Sequence, residues 1–138
     1  MTRRSTIPTR ASAILERTRD GQREILIVKI PAGEFCAGRW TFPSRPVEAG
    51  QSPEAAIRQA IQEGLGTATQ IVYGQPPFDH PWQDVMTRWR VFFCEGTAGP
   101  INNRQYEDTR WIPRVALREY EFDPVSQQIV DWLLEDAR

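Results

Sequence analysis

Four apolar residues in an unbroken row, Ile25-Leu26-Ile27-Val28, constrain this chain more than any other feature. Successive side chains of a strand point to opposite faces, so an all-apolar strand asks for cover on both sides. The run follows Asp20-Gly21, a strong turn dipeptide, and Arg10–Thr18 before it alternates weakly. The two segments read as a hairpin.

The rest of the chain supplies helices and further strands around it. Pro31–Gly38 reads as a loop leading into Trp40-Thr41-Phe42-Pro43, and Pro43 and Pro46 force an extended stretch through Gly50. Ser52-Pro53-Glu54 then opens the clearest helix. Serine accepts from free first-turn amides, proline suits the first helical position, and glutamate complements the positive end. Ile57, Ile61 and Leu65 recur at helical spacing as its core face, and Gly64 and Gly66 are expected to stop it. Beyond lie a strand over Thr67–Tyr73, a proline-rich loop over Gly74–Asp84, and the longest strand, Val85–Glu95. On that strand Val85, Thr87, Trp89, Val91 and Phe93 share one face, with Met86, Arg88, Arg90, Phe92 and Cys94 on the other. Gly96–Pro100 is expected to turn, Tyr106–Ile112 to form a short strand, and Asp123-Pro124 to open a last helix burying Val125, Ile129, Trp132 and Leu133. Strands, helix, strands, helix make a mixed α/β domain with helices packed on a sheet.

A chain of 138 residues, 40% hydrophobic with five Trp and six Phe, has enough apolar mass for one core and excludes disorder. Seventeen basic against eighteen acidic residues leave a net charge of -1, so no global field draws it to nucleic acid or anionic lipid. No apolar run approaches the roughly 18 residues of a membrane span. The basic start Met1-Thr2-Arg3-Arg4-Ser5 lacks the apolar centre of a signal peptide and reads as part of a short flexible tail over residues 1–9, with the folded domain over residues 10–138. Cys36 and Cys94 lie far apart without metal-ligand spacing, so they are expected as free, buried thiols in a reducing cytoplasm.

The stretch Trp40-Thr41-Phe42-Pro43-Ser44-Arg45-Pro46-Val47-Glu48-Ala49-Gly50-Gln51-Ser52-Pro53-Glu54-Ala55-Ala56, continued by Gln59-Ala60-Ile61-Gln62-Glu63-Gly64-Leu65-Gly66, resembles a Nudix box. The opening hairpin, Lys29, the strand around Trp89, the Trp111 strand and Phe122-Asp123-Pro124 also fall as in MutT-like members. The resemblance covers roughly Arg10 to Leu134 and implies an α/β/α sandwich around a mixed sheet.

In that family, glutamates on one helix face hold Mg²⁺, and a metal-activated water attacks a pyrophosphate. The chemistry asks for this set, because Mg²⁺ takes hard oxygen ligands and the leaving diphosphate needs its charge neutralised. By the resemblance the helical carboxylate positions are Ala60, Glu63 and Gly64, so Glu63 alone remains as a catalytic and metal candidate. The box arginine and earlier glutamate, an orienting ion pair in the family, are Gln59 and Gln51. The glycine pair after Pro43 is Ser44-Arg45. Pro43, Glu48, Gly50, Ala56, Ile61 and Gly66 keep the frame. Glu48 and Glu107 are the displaced carboxylates that could join Glu63 around a metal, with Asp108 beside Glu107; the usual remote glutamate aligns with Gln105. Mg²⁺ is then the implied cofactor of an active enzyme, and none is required of a pure binder.

For the ligand pocket, Lys29 falls where relatives place a cation on the phosphates, and equally suits a solvated strand end. Arg88 and Arg90 could reach an anion or lie along an open sheet face. Phe42 matches an aromatic framing the base pocket, while Phe78 and Trp82 lie in the loop expected to overhang it. Aromatic faces stack on nucleobases. Ser126 stands where MutT-like enzymes read oxidised guanine with an asparagine, and a hydroxyl lacks that two-headed fork. His80, the single histidine, has nothing beside it to complete a triad.

Three functions fit these residues. One is a MutT-like protein that binds a nucleoside di- or triphosphate with weak or absent Mg²⁺-dependent pyrophosphohydrolase activity. Another is an active pyrophosphohydrolase using displaced carboxylates. The third is a non-catalytic recognition or regulatory module that binds a base, a nucleotide or a protein partner, as the degenerate Nudix-like domain of adenine-removing DNA glycosylases recognises oxidised guanine. The charge balance argues against DNA, no membrane partner is expected, and the family resemblance allows a homodimer.

Overall fold

A computed structural model describes residues 7–96 and 100–136. The tail's first six residues and the tip of the expected turn at 97–99 lie outside the described residues.

The opening hairpin pairs β1 (Thr9–Arg19) with β2 (Gln22–Lys29), antiparallel through Asp20 and Gly21, both at positive φ. β3 (Trp40–Thr41) and β4 (Ser44–Pro46) follow, then α1 (Pro53–Leu65), β5 (Thr69–Gly74), β6 (Phe78–Trp82), β7 (Val85–Gly96), β8 (Asp108–Pro113), a 3-10 helix (Arg114–Glu119) and α2 (Pro124–Asp136). The strands form one mixed sheet in the order β3-β2-β1-β7-β5, with β4 added to β1, β6 to β7 and β8 to β2. β1 and β7 run parallel and the other ladder pairs antiparallel.

The row Ile25–Val28 divides its side chains between two cores, as its composition demands. Ile25 and Ile27 join Ile14, Trp89, Val91 and the α2 residues Val125, Ile129, Val130 and Leu133. Leu26 and Val28 join Ala11, Ala13, Leu15 and the α1 residues Ile57, Ile61 and Leu65. One helix therefore covers each face. Fully burying each such aliphatic side chain stabilises the fold by about 1.5–3 kcal/mol.

Three sequence expectations change. The segment expected as a loop over Gly74–Asp84 contains β6, joined to β7 by a two-residue turn with Gln83 and Asp84 both at positive φ. Pro81 sits in that strand because β6 pairs with β7 alone among the described strands, leaving one edge that asks for no N–H. Gly64 does not stop α1. It is buried within the helix, and Gly66 at φ 62° makes the left-handed cap, its N–H donating to the Gln62 carbonyl. Cys94 is buried, but Cys36 is only half-buried in the loop before β3, at φ 63°. No described helix is long and apolar enough to cross a membrane.

β1 changes partners along its length, and this opens the site. From Glu16 to Arg19 it pairs with β2, whereas Arg10 to Ser12 pair with β4. β2 meanwhile goes on to pair with β3 at Val28 and Lys29. The sheet thus splits, with β2–β3 on one bank and β1–β4 on the other.

Candidate functional site

A cavity of about 520 Å³ lies in this split. One bank supplies Ile30, Pro31, Thr41 and Phe42, the other Arg10, Ser44, Arg45 and Pro46. Glu34 and Phe35 close it from the loop before β3, Trp82 and Gln83 from the β6 hairpin, Ala60 and Glu63 from α1, and Gln105 and Tyr106 from the segment before β8. The volume lies in the range of small-molecule sites.

Ser52 anchors α1 beside this cavity. Its hydroxyl accepts from the Ala55 N–H at 3.1 Å, and Pro53 begins the helix behind it. Ala60, Glu63 and Gly64 consequently share the helix side that meets the cavity and the segment over it. Glu63 is exposed and fully engaged. Arg45 donates to its Oε1 at 3.1 Å and Gln59 to its Oε2 at 2.8 Å. Those two bonds, the one from Gln59 first, hold its carboxyl below the usual range. Arg45 also lies 3.6 Å from Glu48 Oε1, so one guanidinium stands between the two carboxylates. Gln59 in turn accepts from Gln51 at 2.8 Å, and Gln51 Oε1 accepts from the Glu48 N–H at 3.1 Å. The box's neutralised pair is thus a relay of amides ending on Glu63.

Position 64 is closed. A Cβ there would stand 2.8 Å from Gln105 Oε1 and 3.2 Å from the Tyr106 ring. The Arg104 N–H donates to the Gly64 carbonyl and the Asn102 N–H to that of Leu65, tying this segment onto the end of α1.

The residues present do not fit a Mg²⁺ site of the family's kind. Ala60 offers no ligand, Gly64 is capped, and the acidic neighbours Glu63 and Glu48 already share a guanidinium. Among the described residues no three His, Cys, Asp or Glu side chains gather to hold a metal. Glu107 lies apart, 3.5 Å from Lys29 Nζ, and Asp108 pairs with Arg110.

Of the ligand residues expected from sequence, the fold brings Phe42 and Trp82 to the cavity. Trp82 packs edge-on against Phe35 at 4.8 Å and Trp89 at 5.5 Å. Lys29, Arg88 and Arg90 do not line it. Arg88 is spent on Asp79 at 3.0 Å, and Arg90 lies over Phe92. Ser126 is buried behind the wall, its hydroxyl 3.0 Å from that of Thr41. Phe78 packs into the α2-side core, and His80 lies on β6 with Nδ1 2.9 Å from the Pro81 carbonyl.

The cations that do line the cavity are Arg10 and Arg45. Arg10 lies 5.1 Å from the centre of the Trp82 ring and 5.7 Å from that of Trp89. Burial lowers its pKa, with the charge of Asp123 the largest influence opposing it. Sequence reasoning noted Arg45 only as a lost glycine and passed over Arg10. The available signal was an arginine entering a strand of small residues, Arg10-Ala11-Ser12-Ala13.

The Nudix domain model matches residues 7–133. The chain belongs to the Nudix family. The 8-oxo-dGTP diphosphatase of Escherichia coli is 24% identical over 114 residues, spanning 81% of this chain and 87% of that protein. The MutT protein from Methanosarcina mazei Go1 superposes with a TM-score of 0.79 at 13% identity, covering 99% of this chain and 100% of its own. The Nudix domain of Shewanella oneidensis NrtR, solved with ADP-ribose, superposes with a TM-score of 0.76 at 12% identity over 97% of this chain and 90% of its own. The α/β/α arrangement expected of a MutT-like Nudix domain is the one observed.

Proposed function

We propose that this Nudix domain binds a nucleoside diphosphate-type ligand in the cavity of the split sheet and hydrolyses it weakly or not at all. The observation that carries this reading is Arg45 standing between Glu63 and Glu48, beside an alanine and a capped glycine where the family's box places carboxylates. The aromatic surface of Phe35 and Trp82, with Phe42 buried behind it, suits a base or ribose face, and Arg10 and Arg45 line the same cavity. The E. coli diphosphatase and the ADP-ribose-bound domain are relatives whose ligands carry the same diphosphate chemistry. Unpaired Cys36 and Cys94 suit a reducing cytoplasm.

A thermal-shift screen of nucleoside di- and triphosphates and ADP-ribose, with and without Mg²⁺, tests it. A ligand at about a hundred times its dissociation constant stabilises the fold by about 2.7 kcal/mol. Hydrolysis of any stabilising ligand is expected well below the enzyme median of about 10 per second. Turnover at that median would show a re-routed active site instead.

A further inference from the structure

Five buried side-chain polar atoms lack a partner among the described residues: Arg10 Nε, Arg45 Nε, Arg90 Nε, Tyr106 Oη and Asp123 Oδ2. Three of the five residues, Arg10, Arg45 and Tyr106, line the same cavity. All three orphaned atoms can donate a hydrogen bond, and a guanidinium N–H can do nothing else. Buried donors left without acceptors are rare in native proteins, and three on residues that line one cavity point to a ligand that brings acceptors as these side chains turn toward it.

Resting on the reading above, we propose that Arg10, Arg45 and Tyr106 bind the ligand's terminal phosphoryl group directly, so that anion binding in this domain needs no divalent cation. Arg45 supplies a fixed donor: its terminal nitrogens are held by Glu63 and Glu48, and Nε is the donor left over. Arg10 is held by the Trp82 and Trp89 rings, and feels Asp123 and Glu34 without a salt-bridge contact among the described residues. Tyr106 stays protonated as a donor, because burial and the charge of Glu34 raise its pKa to about 12 while the Ser44 backbone, Arg10 and Arg45 pull the other way. Three donors on three residues match the three terminal oxygens of a phosphoryl group better than the two of a carboxylate.

The lining also includes Glu34 and Glu63, so two cationic and two anionic side chains leave the wall near neutral. Recognition is therefore short-range and its salt dependence shallow. Glu34 opposes an anion here, and Glu34→Gln should tighten binding.

The test is isothermal titration of the full chain with pyrophosphate, ADP and citrate, each in EDTA and again in Mg²⁺. Pyrophosphate and ADP are expected to bind in EDTA, with Mg²⁺ adding no affinity. Tyr106→Phe and Arg45→Lys should each weaken both by about tenfold. Tyr106→Phe removes a hydroxyl that takes a backbone bond from Ser44 but whose own proton has no acceptor among the described residues, so its Tm should change little while anion affinity falls. A merely structural tyrosine would leave affinity unchanged, and that result overturns the site. Binding of ADP only with Mg²⁺ overturns it too, while leaving the nucleotide reading intact. Pyrophosphate binding in EDTA without ADP binding keeps the anion site and removes the nucleotide. Binding of citrate in place of pyrophosphate overturns the phosphoryl assignment, and no binding of any probe overturns both proposals.

Discussion

Gly64 lies directly beneath Gln105, so close that a Cβ at position 64 would stand 2.8 Å from the Gln105 amide oxygen. A second segment, from Asn102 to Tyr106, thus lies over the side of α1 that carries Gly64.

Gly64→Glu is accordingly expected to destabilise the fold by about 1–3 kcal/mol, as overpacking does. The Gln105 end can swing aside, but the Tyr106 ring 3.2 Å away is packed against the α1-side core. Denaturant unfolding measures the loss. Ala60→Glu places a carboxylate at a site only 4% exposed, so the double variant should still show no sub-millimolar Mg²⁺ site by titration. A tight stoichiometric site would mean that the segment before β8 readily lifts away.

Trp82→Ala should weaken ADP binding by about 1–3 kcal/mol, the range for base–aromatic stacking. It also strips Arg10 of one of its two supporting rings. Lys29→Ala and Arg88→Ala are expected to bind ADP as the parent does, because their charges are directed to Glu107 and Asp79 outside the cavity. Comparable losses in all three variants would place the ligand on another face.

Glu63 should leave a signature at acid pH. Its folded-state pKa lies below that of the unfolded chain, near 4.3 for a glutamate. The stabilisation is therefore present above that pH and is lost as pH falls through the folded value. The Tm difference between the parent and Glu63→Gln is expected to be constant at neutral pH and to shrink below about pH 4.3. A difference that does not change with pH would show that the bonds from Gln59 and Arg45 do not hold the carboxylate in solution.

The capped helix beneath the site is expected to divide its stability unequally. Ile61→Ala, at a fully buried position, should cost about 2–5 kcal/mol. Ser52→Ala, which removes only the cap to Ala55, should cost about 1 kcal/mol. Both are read by urea unfolding at neutral pH, and equal losses would contradict the packing described.

The sequence by itself determined the layers. An all-apolar Ile25–Val28 must be buried on both faces, Ser52-Pro53-Glu54 must start a helix, and the residues around Pro43 and Gly50 carry the family's frame. Those are local requirements of period, capping and turn chemistry, legible without neighbours. That Ala60 and Gly64 bring no carboxylate to the helix side carrying Glu63 was legible in the same way. Tertiary structure alone decided what surrounds them. Whether an arginine is spent or available depends on which carboxylate the fold sets beside it: Asp79 beside Arg88 nine residues away, but among the described residues no acidic side chain in salt-bridge contact with Arg10. Arg45 could be read as a lost glycine, but its position between Glu63 and Glu48 depends on β4 pairing with β1 while α1 crosses behind. Gly64 looks like a helix stop until the segment from Asn102 to Tyr106 is laid over it. Each of these joins residues remote in sequence, and such contacts are set by packing, which no local pattern encodes.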